Sequence, residues 1–294
     1  MDPVRRPLWR STDVRQARLS RLDAASSRAE EVATTGLKVL RPSDAPGRWG
    51  EIGAIRERAT DQKMYSENLT LASVPVNVAE RALGEVSNVL SAAKSLAVQT
   101  SSETYDPTRR PAAAAQVDAL KAQLVGLANS KAGGRYVFAG DRHDAPAFDT
   151  TGAYLGGTGS PSVLIGEDRW LETAWDGSAV FGGTIDAFAV LDDFSAALTA
   201  NDPDAIAGLF ANLDTAFAQA VSWRQDSGLR QEVVEDAQIV SENLLTLFSG
   251  QLEALVGEDP ATAFTNLAEA RDAYTSALQI TATAGERSLF DFLR

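Results

Sequence analysis

The chain has 294 residues, 44% of them hydrophobic and 23% charged, with no cysteine and a single histidine. That is enough material for real hydrophobic cores. It excludes disulfide frameworks, thiolate nucleophiles, Cys-rich metal sites and any HExxH zinc centre. With 27 Lys+Arg against 40 Asp+Glu the net charge is −13, which argues against nucleic acid as a partner and suits a self-associating chain that must stay soluble.

The first 30 residues run against that balance: seven arginines face four acids, net +3. The opening "MDPVRRPLWRS" is basic but lacks the apolar stretch of a cleaved secretory signal, so none is expected. No later run approaches the roughly 18 apolar residues of a membrane span. A weak 3,4 stripe, Leu19, Leu22, Ser26, Ala29 and Ala33, then predicts a helix too poor in apolar side chains to form a core alone.

The stretch "LKVLRPSDAPGRWGEI" breaks the helical pattern. Pro42 pushes Arg41 out of the α region and ends what precedes it. Ser43 or Asp44 is predicted to cap the next helix, with Pro46 in its first turn. Arg41, Pro42, Ser43, Asp44 and Pro46 therefore read as a rigid corner, a structural device.

Between residues 69 and 100 the 3,4 spacing is sustained through Leu69, Ala72, Val76, Ala79, Leu83, Val86, Leu90, Ala93, Ala97 and Thr100, long enough for a coiled-coil-like seam. Pro75 predicts a kink or a helix start inside it. Asp106-Pro107 opens another helix, with Ala113, Val117, Leu120, Leu124 and Leu127 on one face, stopping at Gly133-Gly134. The same Asp-Pro start recurs at Asp202-Pro203 and Asp259-Pro260.

From Arg135 to about Gly183 the sequence turns to Gly, Thr and aromatics. "RYVFAG" and "SVLIG" read as strands, and Asp176-Gly177 in "WLETAWDGSAVF" as a hairpin turn. A helical pair over about 190–224 follows. Val233, Ala237, Val240, Leu244 and Leu247 then form a seam bounded by Gly228 and Gly257. Past Asp259-Pro260, Ala263, Ala270, Ala277 and Ala284 recur every seven residues, with Leu267, Tyr274, Thr281 and Ser288 between them. Small residues at one heptad position let helices approach closely.

Sites of chemistry are sparse. His143 in "GDRHDAP" reads as a polar loop residue, and "GGTGSPS" lacks the lysine and following helix of a phosphate loop. Glu167-Asp168 and Asp192-Asp193 are adjacent carboxylates, but neighbours in sequence need not converge in space. Trp170 and Trp175 suit either a glycan groove or the anchoring of a small β core. The expectation is no enzyme, no metal and no cofactor.

Four ordered motifs carry a resemblance. "TTGLKVLRPSDAPGRWGEI", "LANSKAGGRYVFAGDRHDAPAFD", "GEDPATAFTNLAEARDAYTSALQ" and the closing "SLFDFLR" are similar to segments of the bacterial flagellin superfamily, in its branch of hook-associated proteins at the hook–filament junction. Ala45 stands where that branch usually has a second Asp, and Pro75 falls in a helix that is normally continuous. The resemblance implies a mainly α, flagellin-like fold with a small β-containing insert and long coiled-coil-like helices from both termini packed together. It divides the chain into 1–40 plus 260–294, terminal helices pairing on assembly; 41–134 plus 226–259, a helical core; and 135–225, an outer insert.

It also implies an extracellular place in the flagellum, reached through the type III export apparatus without a cleaved signal. The implied partners are further copies in a ring, the adjacent hook-associated protein, flagellin and an export chaperone, with no nucleic acid and no membrane insertion. The candidate subunit-interface residues are Leu19, Leu22, Ala29, Ala263, Leu267, Ala270, Tyr274 and Ala277, with Leu289, Phe290, Phe292 and Leu293 as a terminal anchor. Filament flagellin is the nearest rival reading. A secreted glycan- or surface-binding module on a helical stalk is the rival of another class.

Overall fold

A computed structural model describes residues 8–102 and 104–292, with side chains for 13–102 and 104–283. Helix α1, Leu8–Thr35, stops where Gly36 takes φ +69° and its N–H caps the Val32 carbonyl at 2.8 Å. Helix α2 then runs Trp49–Thr100, 52 residues long, straight through Pro75. Pro75 therefore does not start a helix. The seam predicted from Leu69 to Thr100 is buried at every position, and that burial outweighs the roughly 3 kcal/mol of an interior proline. The carbonyl it leaves unpaired belongs to Leu71, a residue on the solvent face at 69% exposure, where water can serve it.

After a 3-10 turn, Pro107–Arg109, comes α3, Arg110–Ala128. Strands β1, Lys131–Ala132, and β2, Arg135–Tyr136, form a hairpin whose turn is Gly133-Gly134, both at positive φ. That pair closes a hairpin rather than ending the helix, since a two-residue turn with both φ angles positive favours glycine. Strands β3, Ser162–Gly166, and β4, Arg169–Glu172, make a second antiparallel hairpin. Asn68 on α2 donates to the Leu164 carbonyl at 2.8 Å, and Ile165 and Leu171 pack against Leu69, Ala72, Val234 and Ala237.

The expected hairpin turn at Asp176-Gly177 is instead a helix start. The Asp176 carboxylate accepts from the Ser178 N–H at 2.9 Å and its hydroxyl at 2.6 Å, opening α4, Gly177–Gly182. Within one short helix Val180 and Phe181 both reach the core. Helices α5, Ala187–Thr199, α6, Pro203–Gly208, α7, Phe210–Val256, and α8, Pro260–Phe292, complete the described chain. Gly228 does not bound α7, whose 47 residues continue through it. One helical glycine costs only about 1 kcal/mol, less than the burial of Ser227, Val234 and Ala237 around it secures.

Among the described residues, aspartates start four of the eight α-helices and the 3-10 turn before α3. Asp106, Asp186, Asp202 and Asp259 each accept a backbone N–H from two or three residues ahead, each contributing about 1 kcal/mol.

Contacts divide the chain into two units, one made of residues up to Thr60 and from Thr246 on, the other of Asp61–Leu245. In the second, α3 packs on α5, and Phe138, Phe148, Trp175, Phe181 and Phe188 fill the centre. Bonds from α7 to α2 brace it: Arg224 to Glu80 at 3.0 Å, Ser227 to the Val76 carbonyl at 3.3 Å. The first unit holds the α1–α8 pair and a small core of Val39, Ile52 and Val256. The chain is thus mainly α with two small β hairpins.

Candidate functional site

The corner is organised by one carboxylate. Asp44 Oδ2 accepts the N–H groups of Leu40 at 2.9 Å and Arg41 at 2.8 Å, and also Arg28 Nη2 from α1. Arg28 reaches the Lys38 carbonyl at 3.0 Å and Glu31 at 2.9 Å, and Arg41 returns to Glu31 at 3.2 Å. Asp44 thus caps backward onto the corner itself, not forward onto α2, whose first turn begins at Trp49, beyond Pro46. Ser43 is exposed. Arg28 and Glu31 carry no special sequence signal. They are an ordinary i,i+3 pair on α1 until the corner folds back on them.

The charges respond to this arrangement. The Leu40 and Arg41 N–H groups, joined by the Arg28 guanidinium, hold the Asp44 carboxyl below its ordinary 3.8. Hydrogen bonding from Arg28, helped by Arg41, holds Glu31 below its ordinary 4.5. A depressed folded pKa stabilises above the ordinary value and is lost as pH falls through the folded one. Protection of the last α1 turns against hydrogen exchange, taken relative to the intrinsic rate at each pH, is therefore expected to hold at pH 5 to 7. It should fall only below the ordinary carboxylate values, a step that Asp44→Asn reduces.

On the terminal helices, Ala263 is 1% exposed, and Leu19, Leu22, Ala29, Leu267, Ala270, Tyr274 and Ala277 are half-buried. These face each other because α1 and α8 pack together within the single chain, with Arg271 and Glu30 paired at 3.4 Å beside them. The α1–α8 pairing described here is made within one chain. Phe264 and Ile280 stay outside at 60% and 67% exposure. Leu289, Phe290 and Phe292 belong to α8, but their side chains, and Leu293 altogether, lie outside the described residues.

The remaining candidates take structural roles. A Cβ on Gly157 would meet Asp141 Oδ1 at 1.6 Å, and one on Gly140, at φ +60°, would meet the Gly157 carbonyl at 2.0 Å. The glycines of "GGTGSPS" thus let that loop lie against Gly140 and Asp141. Gly140→Ala is expected to cost about 3 kcal/mol from overlap and left-handed backbone together, read as a lower urea midpoint. Trp175 is buried beneath Arg230, 4.8 Å from its ring, and donates to Asp226 at 3.3 Å, whereas Trp170 is 65% exposed on the β3–β4 hairpin. Asp192 pairs with Lys121 at 2.7 Å, Asp168 sits at the hairpin tip with φ 54°, and the His143 carbonyl accepts from Tyr136. Among the described residues no three His, Asp or Glu side chains converge as metal ligands, and no helix is long and apolar enough to cross a membrane.

Residues 11–142 match the bacterial flagellin N-terminal helical region. Flagellar hook-associated protein 3 of Salmonella typhimurium is 30% identical over 190 residues, 64% of this chain and 57% of that protein. Its Escherichia coli counterpart is 29% identical over 209 residues, 70% and 63%. The chain thus aligns with less than two thirds of either relative's length. Among solved structures, a putative flagellar hook-associated protein from Vibrio parahaemolyticus superposes with TM-score 0.65 at 14% identity, covering 73% of this chain and 100% of that one. Bacillus cereus FlgL gives 0.61 at 20%, with 68% and 98% coverage. At those identities the superpositions speak for the fold alone.

Proposed function

We propose that the chain is a member of the bacterial flagellin superfamily, whose N-terminal helical region residues 11–142 match, and that it is a structural component of the flagellum, linking hook to filament at their junction. The observation that carries this reading is the alignment with two relatives that both bear the name flagellar hook-associated protein 3. The work is mechanical, done by packing surfaces rather than by catalysis. Copies of the chain form a ring by head-to-tail, heterologous contacts. The adjacent hook-associated protein lies on one side and flagellin on the other.

In this reading residues 1–40 with 260–294 are the assembly helices, 41–134 with 226–259 the helical core, and 135–225 the outward insert. A chaperone escorts the chain, which leaves through the type III apparatus and acts outside the cell. The terminal seam, the corner and the closing Leu289, Phe290, Phe292 and Leu293 are its contact surfaces.

Immunogold electron microscopy with antibody against residues 136–225 tests the proposal. A single band where hook meets filament is the expected result. Label along the whole filament would make the chain a flagellin, and no label on flagella would leave the surface-binding module, with exposed Trp170 as its first residue to probe.

A further inference from the structure

One face of α7 carries three polar side chains in a row. Gln219, Asp226 and Arg230 stand seven and four residues apart, which places them on one side of the helix over about 16 Å. All three reach the segment from residue 172 to 185, in reverse order along the chain. Arg230 pairs with the Glu172 carboxylate at 3.3 Å, donates to its carbonyl at 3.2 Å and covers the Trp175 ring. Asp226 accepts the Trp175 indole N–H at 3.3 Å and holds Arg230 Nε at 2.9 Å.

Gln219 takes the turn after α4. Its Oε1 accepts the Thr184 N–H at 2.7 Å and the Ile185 N–H at 3.2 Å. Its Nε2 donates to the Val180 carbonyl at 2.9 Å and the Ile185 carbonyl at 3.2 Å. The match is selective. A helix end leaves both kinds of backbone group without intrahelical partners, and a side-chain amide serves both; a carboxylate has no donor and an apolar side chain has neither. The two ends of this contact belong to one piece. Helix α4 follows Trp175 at once through its Asp176 cap, and it ends at the turn that Gln219 grips.

We infer that Gln219, Asp226 and Arg230 act together as a key that fixes α4 and its flanks at one position along α7. Apolar side chains tolerate small shifts, whereas each of these bonds has its own partner, so displacing α4 breaks them together. Trp170, exposed on β4, lies two residues before Glu172. The key is thus also what positions that ring on the surface, which makes Arg230 and Gln219 positioning residues for the hairpin. None of this depends on a place at a flagellar junction.

Hydrogen exchange by NMR on the full-length chain tests it, with rates taken relative to the intrinsic ones. The Trp175 indole N–H reads the Arg230 end and the Thr184 and Ile185 amides read the Gln219 end. The amides of Leu83 and Leu90, buried on α2, read the surrounding core. Gln219→Met keeps the bulk of the side chain and loses all four bonds; Arg230→Met loses the pairs with Glu172 and Asp226. Each variant should speed exchange at least tenfold at both ends and leave Leu83 and Leu90 unchanged. Where a methionine variant does not fold, Gln219→Asn or Arg230→Lys must give the same loss at both ends. The inference fails if a variant acts at its own end alone, because the bonds are then independent. It fails equally if neither end responds, or if Leu83 and Leu90 follow, because the second unit has then opened as a whole.

Discussion

Phe148→Ala is expected to lower the stability of the second unit by about 3 to 5 kcal/mol. Phe148 is 4% exposed and lies 5.1 Å from the Tyr154 ring, 5.2 Å from Phe181 and 5.1 Å from Phe188. Its backbone is held as well, since Asn129 at the end of α3 donates to its carbonyl at 2.9 Å and accepts its N–H at 3.0 Å. The ring therefore joins α4 and α5 from a point fixed at the C-terminal end of α3. Truncation removes a large apolar group and opens a cavity that the pinned backbone cannot close, and the edge-to-face contact with Phe181 adds about 0.5 to 1.5 kcal/mol. Urea denaturation followed by tryptophan fluorescence measures it. Phe264→Ala, on the exposed side of α8, is the control and should change stability by less than about 0.5 kcal/mol. A Phe148→Ala loss below about 1 kcal/mol would mean the aromatic cluster is not the keystone of this unit.

Removing residues 288–294 is expected to abolish incorporation into flagella while leaving the second unit folded. The segment "SLFDFLR" carries Leu289, Phe290, Phe292 and Leu293, four large apolar side chains at the end of a helix whose inner face is otherwise half-buried alanine, leucine and tyrosine. The Phe138–Phe188 core is built from buried residues between Val76 and Ala220. The truncated chain should keep its main unfolding transition, yet fail to restore filaments to cells lacking the native protein. Normal filaments from the truncated chain would remove the terminal anchor from the proposal.

Much of the helical architecture was legible because burial follows a helical period. Every residue of the Leu69–Thr100 stripe is inside, and on α1 and α8 the sparse stripes are the inner faces of a pair. The Asp-Pro starts were legible because a cap acts within its own three or four residues. The α7 stripe fails in part, with Val233, Ala237 and Leu244 turned inward but Val240 and Leu247 54% and 51% exposed; the other failures are non-local. Pro75 and Gly228 look like breaks from their propensities, but each sits in a helix whose packed face outweighs the local cost. At Asp176-Gly177 one dipeptide serves a hairpin or a helix cap, and only the need to bury Val180 and Phe181 together decides. The corner was found and its direction misread. Asp44 turns back to α1 because Arg28 is there, and nothing in the spacing announces Arg28.

The aspartate caps bear on the order in which the chain acquires its structure. Each closes a loop of only two or three residues, so helix starts form almost without loop-closure entropy and before distant segments meet. The α1–α8 pair is the opposite extreme, since it joins the two ends of the sequence and must wait for nearly everything between them. A chain delivered unfolded would therefore build its second unit first and its terminal seam last. Until that last step, the seam remains open to whatever the ends meet first.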